Sequence, residues 1–497
     1  MSFILTKPKF ADLVAGFSVA VVLVPQSLAY SQLAGLPAHI GLFAAALPLI
    51  IFSIYASSPY LQIGPAALTV LITFGILTGL GYVPESSSYI AAAGLLALLV
   101  GLFRIILGTF KLGWASYLIC QPVMYGFTTA AAVLIFCSQL PKALGVNLVV
   151  PDGDTISKAF WSITNIGEWN LSSVLIALFT LAAMLGGPKV HKIFPGVLIA
   201  VLSGLALSKI GISNGPTVGE PTSIPEGLPS LSLSFPWEQV VNLSFGALII
   251  AIIGFVGPSA IARTFADEEQ QNWDPNKELI ASGSANLMAA FSGSFPVSGS
   301  LSRTSLNKLS GAMTTWSARF TGLAVLCFLP VASVLDDLPQ AVLGGILLGA
   351  SIKLIKFKIL TEIVSVSKPE ALLMFSTFIA TLMASPNIHW GVLFGFLATL
   401  VLHQYNPGRV KASEENIVVI EGLIWHLSEK DVIAQIIKLA KQNQQNQLKI
   451  DFTKIAVVEN LFLNKLAKDL SDKNYSISTI GLDTNKQNYF INQLSND

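Results

Sequence analysis

The chain has 497 residues, of which 53% are hydrophobic and only 11% charged, and its formal net charge is +1. Ordinary soluble domains carry about 25% charged residues, so the composition indicates a membrane protein, and the near-neutral balance gives no basis for binding nucleic acid. The three cysteines lie in apolar segments and the five histidines are scattered. The sequence therefore predicts no disulfide framework, metal site or cofactor.

Apolar segments follow one another over the first 405 residues. A spanning helix needs about 20 predominantly apolar residues, and on this basis we predict about fourteen spans, seven in each half. The predicted spans of the first half are 11–31, 38–56, 64–80, 88–108, 115–137, 172–186 and 195–211. Those of the second half are 243–265, 278–293, a short one opening near 299, 317–333, 340–355, 370–385 and 389–405.

The loops differ in their content of lysine and arginine. Residues 213–239, in a predicted outer loop, contain neither, whereas the predicted inner loops contain cations such as Lys353 and Lys356. Cytoplasmic loops carry an excess of positive residues, so Lys7 and Lys9 place the N-terminus inside. An even number of spans then predicts a multi-pass protein of the cell membrane with both termini in the cytoplasm.

Two of the apolar segments are interrupted. Residues 291–307 (FSGSFPVSGSLSRTSLN) combine small hydroxyl residues, glycine and proline with the cation Arg303, and residues 60–71 (YLQIGPAALTVL) contain Gly64–Pro65. Non-helical backbone at membrane depth is tolerated only where protein or a water-filled cavity surrounds it, and a charge there suggests function. One Gly/Pro-interrupted segment in each half indicates a transporter binding site formed by half-helices.

The chemistry predicted at these interruptions is anion binding. A helix N-terminus exposes unpaired N–H groups and carries roughly half a positive charge, which makes it a ready anion site. Gly64–Pro65 would open one half-helix, because proline is favoured in the first turn, and Gly299–Ser300 would open another. Ser300 and Ser302 offer hydroxyl donors, and the planar guanidinium of Arg303 suits an oxyanion.

Each of these features also has a structural explanation. Serine and glycine are common close-packing residues in membrane helices. Arg303 could extend to the cytoplasmic surface while its stem stays in the apolar region, and Gly64–Pro65 could lie in a plain loop. The prediction depends on the two interruptions occurring together, one in each half of the chain.

The composition becomes polar after residue 404, which divides the chain into a transmembrane domain at 1–410 and a small cytoplasmic domain at 411–497. Within the second we predict strands at 417–424, 447–452 and 475–482 and helices at 429–441 and 461–470. This order predicts a small α/β layer. About 80 residues form only a modest core, so we expect support from the membrane part or from a second copy.

Several stretches resemble the sulfate permease (SulP) family, which includes the prestin-like anion exchangers. They are residues 12–30 (DLVAGFSVAVVLVPQSLAY), 34–43 (AGLPAHIGLF), 63–71, 293–307 (GSFPVSGSLSRTSLN) and 338–350 (LPQAVLGGILLGA). The resemblance implies a polytopic α-helical transporter with two inverted repeats of seven spans. Spans 1–4 and 8–11 would form a core domain, spans 5–7 and 12–14 a gate domain, and the C-terminal segment a shortened STAS-like domain.

The same resemblance implies an anion site between the N-terminal ends of spans 3 and 10. Gln26 and Tyr30 of the first span would face the anion, with Ala66 on span 3 and Ser302 and Arg303 on span 10. The first two residues are four apart and so share a helix face, and a glutamine amide can donate hydrogen bonds. The alternatives are an interhelical hydrogen bond for Gln26 and an interfacial anchor for Tyr30.

The eighth predicted span departs from the family pattern. Many members carry a carboxylate there, but the matching position is Gly257, and no Asp or Glu occurs between Glu238 and Asp267. We therefore expect exchange, uncoupled transport or coupling through a different group. Pro258 could unwind this span and free carbonyl groups, which could then bind a cation.

The sequence thus favours secondary transport of small inorganic anions by alternating access, with sulfate as the preferred substrate. Bicarbonate, chloride or a dicarboxylate are alternative substrates, because half-helix dipoles attract any small anion. A channel-like anion conductor is the alternative to a carrier. An enzyme is not expected, since no catalytic carboxylate or histidine pair is visible. The expected partners are the anion, membrane lipid and a second copy in a homodimer.

Overall fold

The structure is a computed structural model. It describes residues 7–491 apart from 147–149, 192–193, 221–223, 226, 230, 232–233, 270, 272, 406, 414–416, 423–424, 426–428, 443–446, 456–457, 459, 472–475, 483–485 and 488–489. Six helical segments in the described part are long and apolar enough to cross a membrane. The first of these exposes one apolar stripe, formed by Phe10, Val14, Phe17 and Val21, which suits contact with lipid.

The described residues form two compact units. The first comprises Met1–Ser116, Ala131–Leu354 and Ala384–His389, and the second comprises Tyr117–Ala130, Ile355–Met383 and Trp390–Asp497. This grouping differs from the predicted core and gate sets, because the helices of the sixth, seventh and twelfth predicted spans cluster with those of spans 1–4. A division into core and gate therefore stays a prediction.

The first unit is helical apart from one very short pair of strands. Its helices up to the middle of the chain are α1 (Phe10–Leu33), α2 (Ile40–Ala45), α3 (Leu47–Tyr55), α4 (Ala67–Gly79), α5 (Ser87–Thr109), the second part of α6 (Gln121–Leu144), α7 (Thr155–Thr164), α8 (Leu171–Val190) and α9 (Gly196–Lys209). It continues with α10 (Val240–Glu268), α11 (Pro275–Phe291), α12 (Leu301–Leu309), α13 (Trp316–Phe328) and α14 (Gln340–Leu354).

The second unit contains the first part of α6, three further helices of the apolar region and the polar C-terminal segment. The three helices are α15 (Phe357–Val366), α16 (Lys368–Met383) and α17 (His389–Tyr405). Trp425, from the polar segment, is buried and donates a hydrogen bond from Nε1 to the Leu118 carbonyl at 3.0 Å. The polar segment is thus packed against the apolar helices of its own unit.

Each of the fourteen predicted spans contains at least one helix, and the two helices that begin at the interruptions are among those too short to cross a bilayer alone. The 13 residues of α4 and the 9 residues of α12 correspond to about 20 Å and about 14 Å at 1.5 Å per residue, against about 30 Å of hydrocarbon. They are the half-helices that the two interruptions predict.

The C-terminal segment contains the predicted α/β layer. Its elements are β3 (Arg409–Ser413), β4 (Ile417–Glu421), α18 (Glu429–Gln442), β5 (Gln447–Asp451), α19 (Asn460–Ser471) and β6 (Ser476–Ile480). The sheet order is β3-β4-β5-β6, with β3 antiparallel to β4 and the other pairs parallel. Hydrogen bonds from Lys411 and Lys454 hold the pKa of the Glu421 carboxyl down to about 2. All five predicted elements are present, although residues 423, 424 and 475 of the predicted strands lie outside the described residues.

Three features of the fold correct the sequence-based expectations. The first is β3, a strand that the sequence did not predict, which begins at Arg409 in the polar stretch after the last span. The second is a pair of ten-residue helices, α7 and α15, in segments predicted as loops. The third is that α10 continues through Pro258, so the predicted unwinding of this span is wrong.

Candidate anion-binding site

The starts of the two half-helices lie side by side. Just before them run two short strands, β1 (Ile63–Gly64) and β2 (Ser298–Gly299), which pair antiparallel with Gly64 opposite Ser298. A further backbone hydrogen bond joins Ser300 N to the Gln62 carbonyl at 3.0 Å. Paired strands are about 4.8 Å apart. The two interruptions, more than 200 residues apart in sequence, are therefore direct neighbours in space.

Neither half-helix is capped by its own N-cap side chain. Ala66 precedes α4 and Ser300 precedes α12; both have extended backbone, and neither side chain accepts a hydrogen bond from its helix. The first N–H groups of a helix have no partner within the helix, and they carry the positive end of its dipole. Two such ends beside each other form an electropositive position without a nearby carboxylate cap.

Arg303 lies in the first turn of α12 and is 1% exposed. Its Nη2 donates to the Pro65 carbonyl at 2.9 Å, which links α12 to the segment that leads into α4. Its Nε and Nη1 have no hydrogen-bond partner among the described residues. Burial rules out the alternative of a cation extended to the membrane surface, and each of the two free donors can make a charge-assisted hydrogen bond to an anion.

Gly64 is required for this arrangement. Its φ is +153°, and a Cβ added there would lie 3.3 Å from Arg303 Nη2. L-residues rarely adopt such a backbone conformation. The glycine therefore allows the backbone of β1 to approach the guanidinium closely, and the interruption is a specific close contact and not a plain loop.

One face of α1 completes the surroundings of the break. The same Cβ position on Gly64 would lie 3.6 Å from Leu23 Cδ1, and Gln26 and Tyr30 follow on that face of the helix. Gln26 is 6% exposed and its Oε1 has no partner among the described atoms. Tyr30 is 8% exposed and within electrostatic range of Arg303. Burial at this position does not fit the alternative of an interfacial aromatic anchor.

The serines of the second interruption divide into two groups. Ser298 is buried and donates to the Gly254 carbonyl, which Pro258 leaves without its helical partner. Ser300 is half-buried, Ser302 is exposed, and their Oγ atoms are 3.3 Å apart at the start of α12. Ser298 therefore has a packing role, as the structural alternative predicts, whereas Ser300 and Ser302 stay accessible.

Buried amide and hydroxyl side chains hold the two interruptions in place. Thr304 Oγ1 accepts from Gln62 N at 3.1 Å, and Asn307 Nδ2 donates to the Tyr60 carbonyl at 2.9 Å. Asn286 Oδ1 accepts from Val297 N at 2.9 Å. The sequence reasoning did not identify these residues, because their partners are distant in sequence.

A second buried arginine near this site was also missed. Arg104 lies in α5 and is 0% exposed. Its sequence signal was present, since it is a single cation within the apolar predicted span 88–108, and an ionisable residue inside a span indicates function. In the described ranges, no cluster of three or more His, Cys, Asp or Glu residues could hold a metal.

Comparison with known proteins gives a family and a fold. Residues 10–377 match the sequence model of the sulfate permease family. "Sulfate transporter 4.1, chloroplastic" of Arabidopsis thaliana is 30% identical over 79% of this chain, but the match covers only 58% of that protein, less than two thirds of its length. The bovine "Sodium-independent sulfate anion transporter" is 25% identical over 95% of this chain and 83% of its own. The murine Slc26a9 anion transporter structure superposes with a TM-score of 0.71 at 20% identity, over 99% of this chain and 88% of that one, which establishes the fold.

Proposed function

This chain belongs to the sulfate permease family, and we propose that it carries small inorganic anions across the cell membrane, with sulfate as the preferred substrate. The anion would bind at the starts of α4 and α12, beside Gly64, Ala66, Ser300 and Ser302. The observation that carries the proposal is Arg303, a fully buried cation with two free donors next to two uncapped helix starts.

The electrostatics of the site support an anion as ligand. Arg303 has no carboxylate within ion-pair distance in the described part of the chain. A buried charge without a counter-charge is costly, and a bound anion would supply that counter-charge. The names of the Arabidopsis and bovine relatives support sulfate as the anion.

The mode of transport forms part of the same proposal. We infer alternating access through fourteen spans in a 7+7 inverted repeat, because the two half-helices occupy corresponding positions in the two halves of the chain. We assign the C-terminal α/β layer as a cytoplasmic STAS-like domain on its strand and helix order, and we expect the protein to work as a homodimer. Its termini would lie in the cytoplasm.

Uptake into proteoliposomes tests this function. Labelled sulfate, bicarbonate and chloride are offered to the purified protein, with and without proton or sodium gradients. We expect saturable uptake with the highest apparent affinity for sulfate and no requirement for either gradient. A higher affinity for bicarbonate or chloride would overturn the substrate assignment. Large unsaturated currents would indicate a channel, and no uptake of any of the three anions would overturn the proposal.

A further inference from the structure

Arg104 is a second buried cation beside the same site. Its guanidinium donates to the Ala251 carbonyl from Nε at 3.2 Å and to the Ile250 carbonyl from Nη2 at 3.3 Å. Its Nη1 donates to the Val297 carbonyl at 3.0 Å and to Ser282 Oγ at 2.6 Å. All of these acceptors are neutral. The contacts fix the position of the charge without cancelling it.

These contacts link Arg104 directly to the two interruptions. Val297 immediately precedes β2, the strand that pairs with the residues before α4. A Cβ built on Gly254 would lie 2.6 Å from Arg104 Nη2 and 3.1 Å from Thr69 Oγ1, in the first turn of α4. The Arg104 guanidinium therefore lies close to the start of α4, while Arg303 donates to the carbonyl of Pro65 in the segment that leads into α4.

The surroundings of Arg104 also resemble a small cation site that is already filled. Carbonyl and hydroxyl oxygens from α10, α11 and the segment before β2 converge on it, and carbonyl oxygens are the ligands that hard cations prefer. The sequence of α10 contains no Asp or Glu between Glu238 and Asp267. A covalently attached guanidinium thus occupies oxygens that a co-bound cation would otherwise use.

We propose that Arg104 determines the charge of the anion that this site selects. It supplies a second fixed positive charge, so that with Arg303 the site matches a doubly charged oxyanion and needs no co-bound cation. This inference rests on the proposed function. Its physical basis is that the interaction between a fixed charge and a ligand is proportional to the charge of the ligand.

Substitution of Arg104 tests the inference through a ratio of affinities. Removing one fixed charge should cost a dianion about twice the free energy that it costs a monoanion. If Arg104→Gln weakens chloride binding about tenfold, it should weaken sulfate binding about a hundredfold. Arg104→Lys, which keeps the charge, should retain most of the preference for sulfate. Dissociation constants for both anions are measured by isothermal titration on the purified full-length protein.

The controls separate the possible outcomes. Arg319→Gln removes a different arginine, which donates to Ser53 Oγ on α3, and should leave the sulfate-to-chloride ratio unchanged. A purely structural role for Arg104 would lower both affinities by the same factor in Arg104→Gln and would overturn the inference. If Arg104→Gln does not fold, Ser282→Asp, which places a carboxylate beside the guanidinium and so neutralises its charge, should likewise weaken sulfate binding more than chloride binding; an unchanged ratio there also overturns the inference.

A failure of this inference can be distinguished from a failure of the proposed function. If the unaltered protein binds neither sulfate nor chloride, the proposed function is wrong. If it binds both and the ratio does not depend on Arg104, only the role of Arg104 is wrong.

The absence of a co-bound cation has a test of its own. Sulfate affinity of the unaltered protein should be the same in sodium and in choline buffers, and a requirement for sodium would contradict the absence of a co-bound cation.

Discussion

Replacing Arg303 with alanine is expected to weaken sulfate binding by about 10- to 100-fold. A hydrogen bond to a charged group contributes about 1.5–3 kcal/mol, and each 1.4 kcal/mol corresponds to about a factor of ten in affinity. The guanidinium has two free donors and is completely buried, so its interaction with a bound anion would not be screened by solvent. Isothermal titration of purified protein with sulfate gives the two dissociation constants.

Two further variants make this result specific. Arg303→Lys keeps the charge but loses the planar fork, and should fall between the unaltered protein and Arg303→Ala. Arg319→Ala removes the arginine that stacks on Trp316 at 4.0 Å, and should leave sulfate affinity unchanged. Equal sulfate affinity in Arg303→Ala and in the unaltered protein would show that this guanidinium takes no part in binding.

Replacing Gly41 with alanine is expected to destabilise the protein by about 3 kcal/mol, at the upper end of the usual cost of overpacking. Gly41 lies in α2, and a Cβ there would lie only 1.9 Å from the Ser27 carbonyl oxygen in α1. Because that atom belongs to the backbone, α1 and α2 would have to move apart. Gln26 is adjacent to Ser27, so sulfate affinity should fall together with the unfolding temperature.

A glycine without such a contact provides the matched control. Gly186 lies inside α8, and a Cβ there would meet nothing within 4 Å. Alanine is favoured over glycine within a helix by up to about 1 kcal/mol, so Gly186→Ala should leave the unfolding temperature unchanged or raise it slightly. Thermal unfolding followed by tryptophan fluorescence compares the two variants, and similar curves for both would contradict the close approach of α2 to α1.

Hydropathy predicted most of the helical architecture, because long apolar segments leave few other structures possible in a bilayer. The two helices that were missed, α7 and α15, are short and amphipathic. Phe160 and Ile163 are exposed on the first, and Phe357 and Val364 on the second. Such helices have too few consecutive apolar residues to be predicted as membrane spans from hydropathy. β3 was missed because it forms only by pairing with β4.

The positions of the two half-helices could be predicted from Gly64–Pro65 and from the polar run before Arg303, since these residues disfavour a continuous helix. Their pairing across more than 200 residues could not, because it depends on long-range packing. The same holds for Arg104, whose acceptors come from α10, α11 and the segment before β2. Its position within an apolar span nevertheless carried a signal that local pattern reading could have used.

The most direct test of the binding site is an experimental structure of the protein with selenate, an analogue of sulfate whose selenium can be located by anomalous scattering. The account predicts a selenium peak at the starts of α4 and α12, with a selenate oxygen within hydrogen-bonding distance of Arg303. A selenate bound elsewhere in the protein, with the starts of the two half-helices unoccupied, would contradict it.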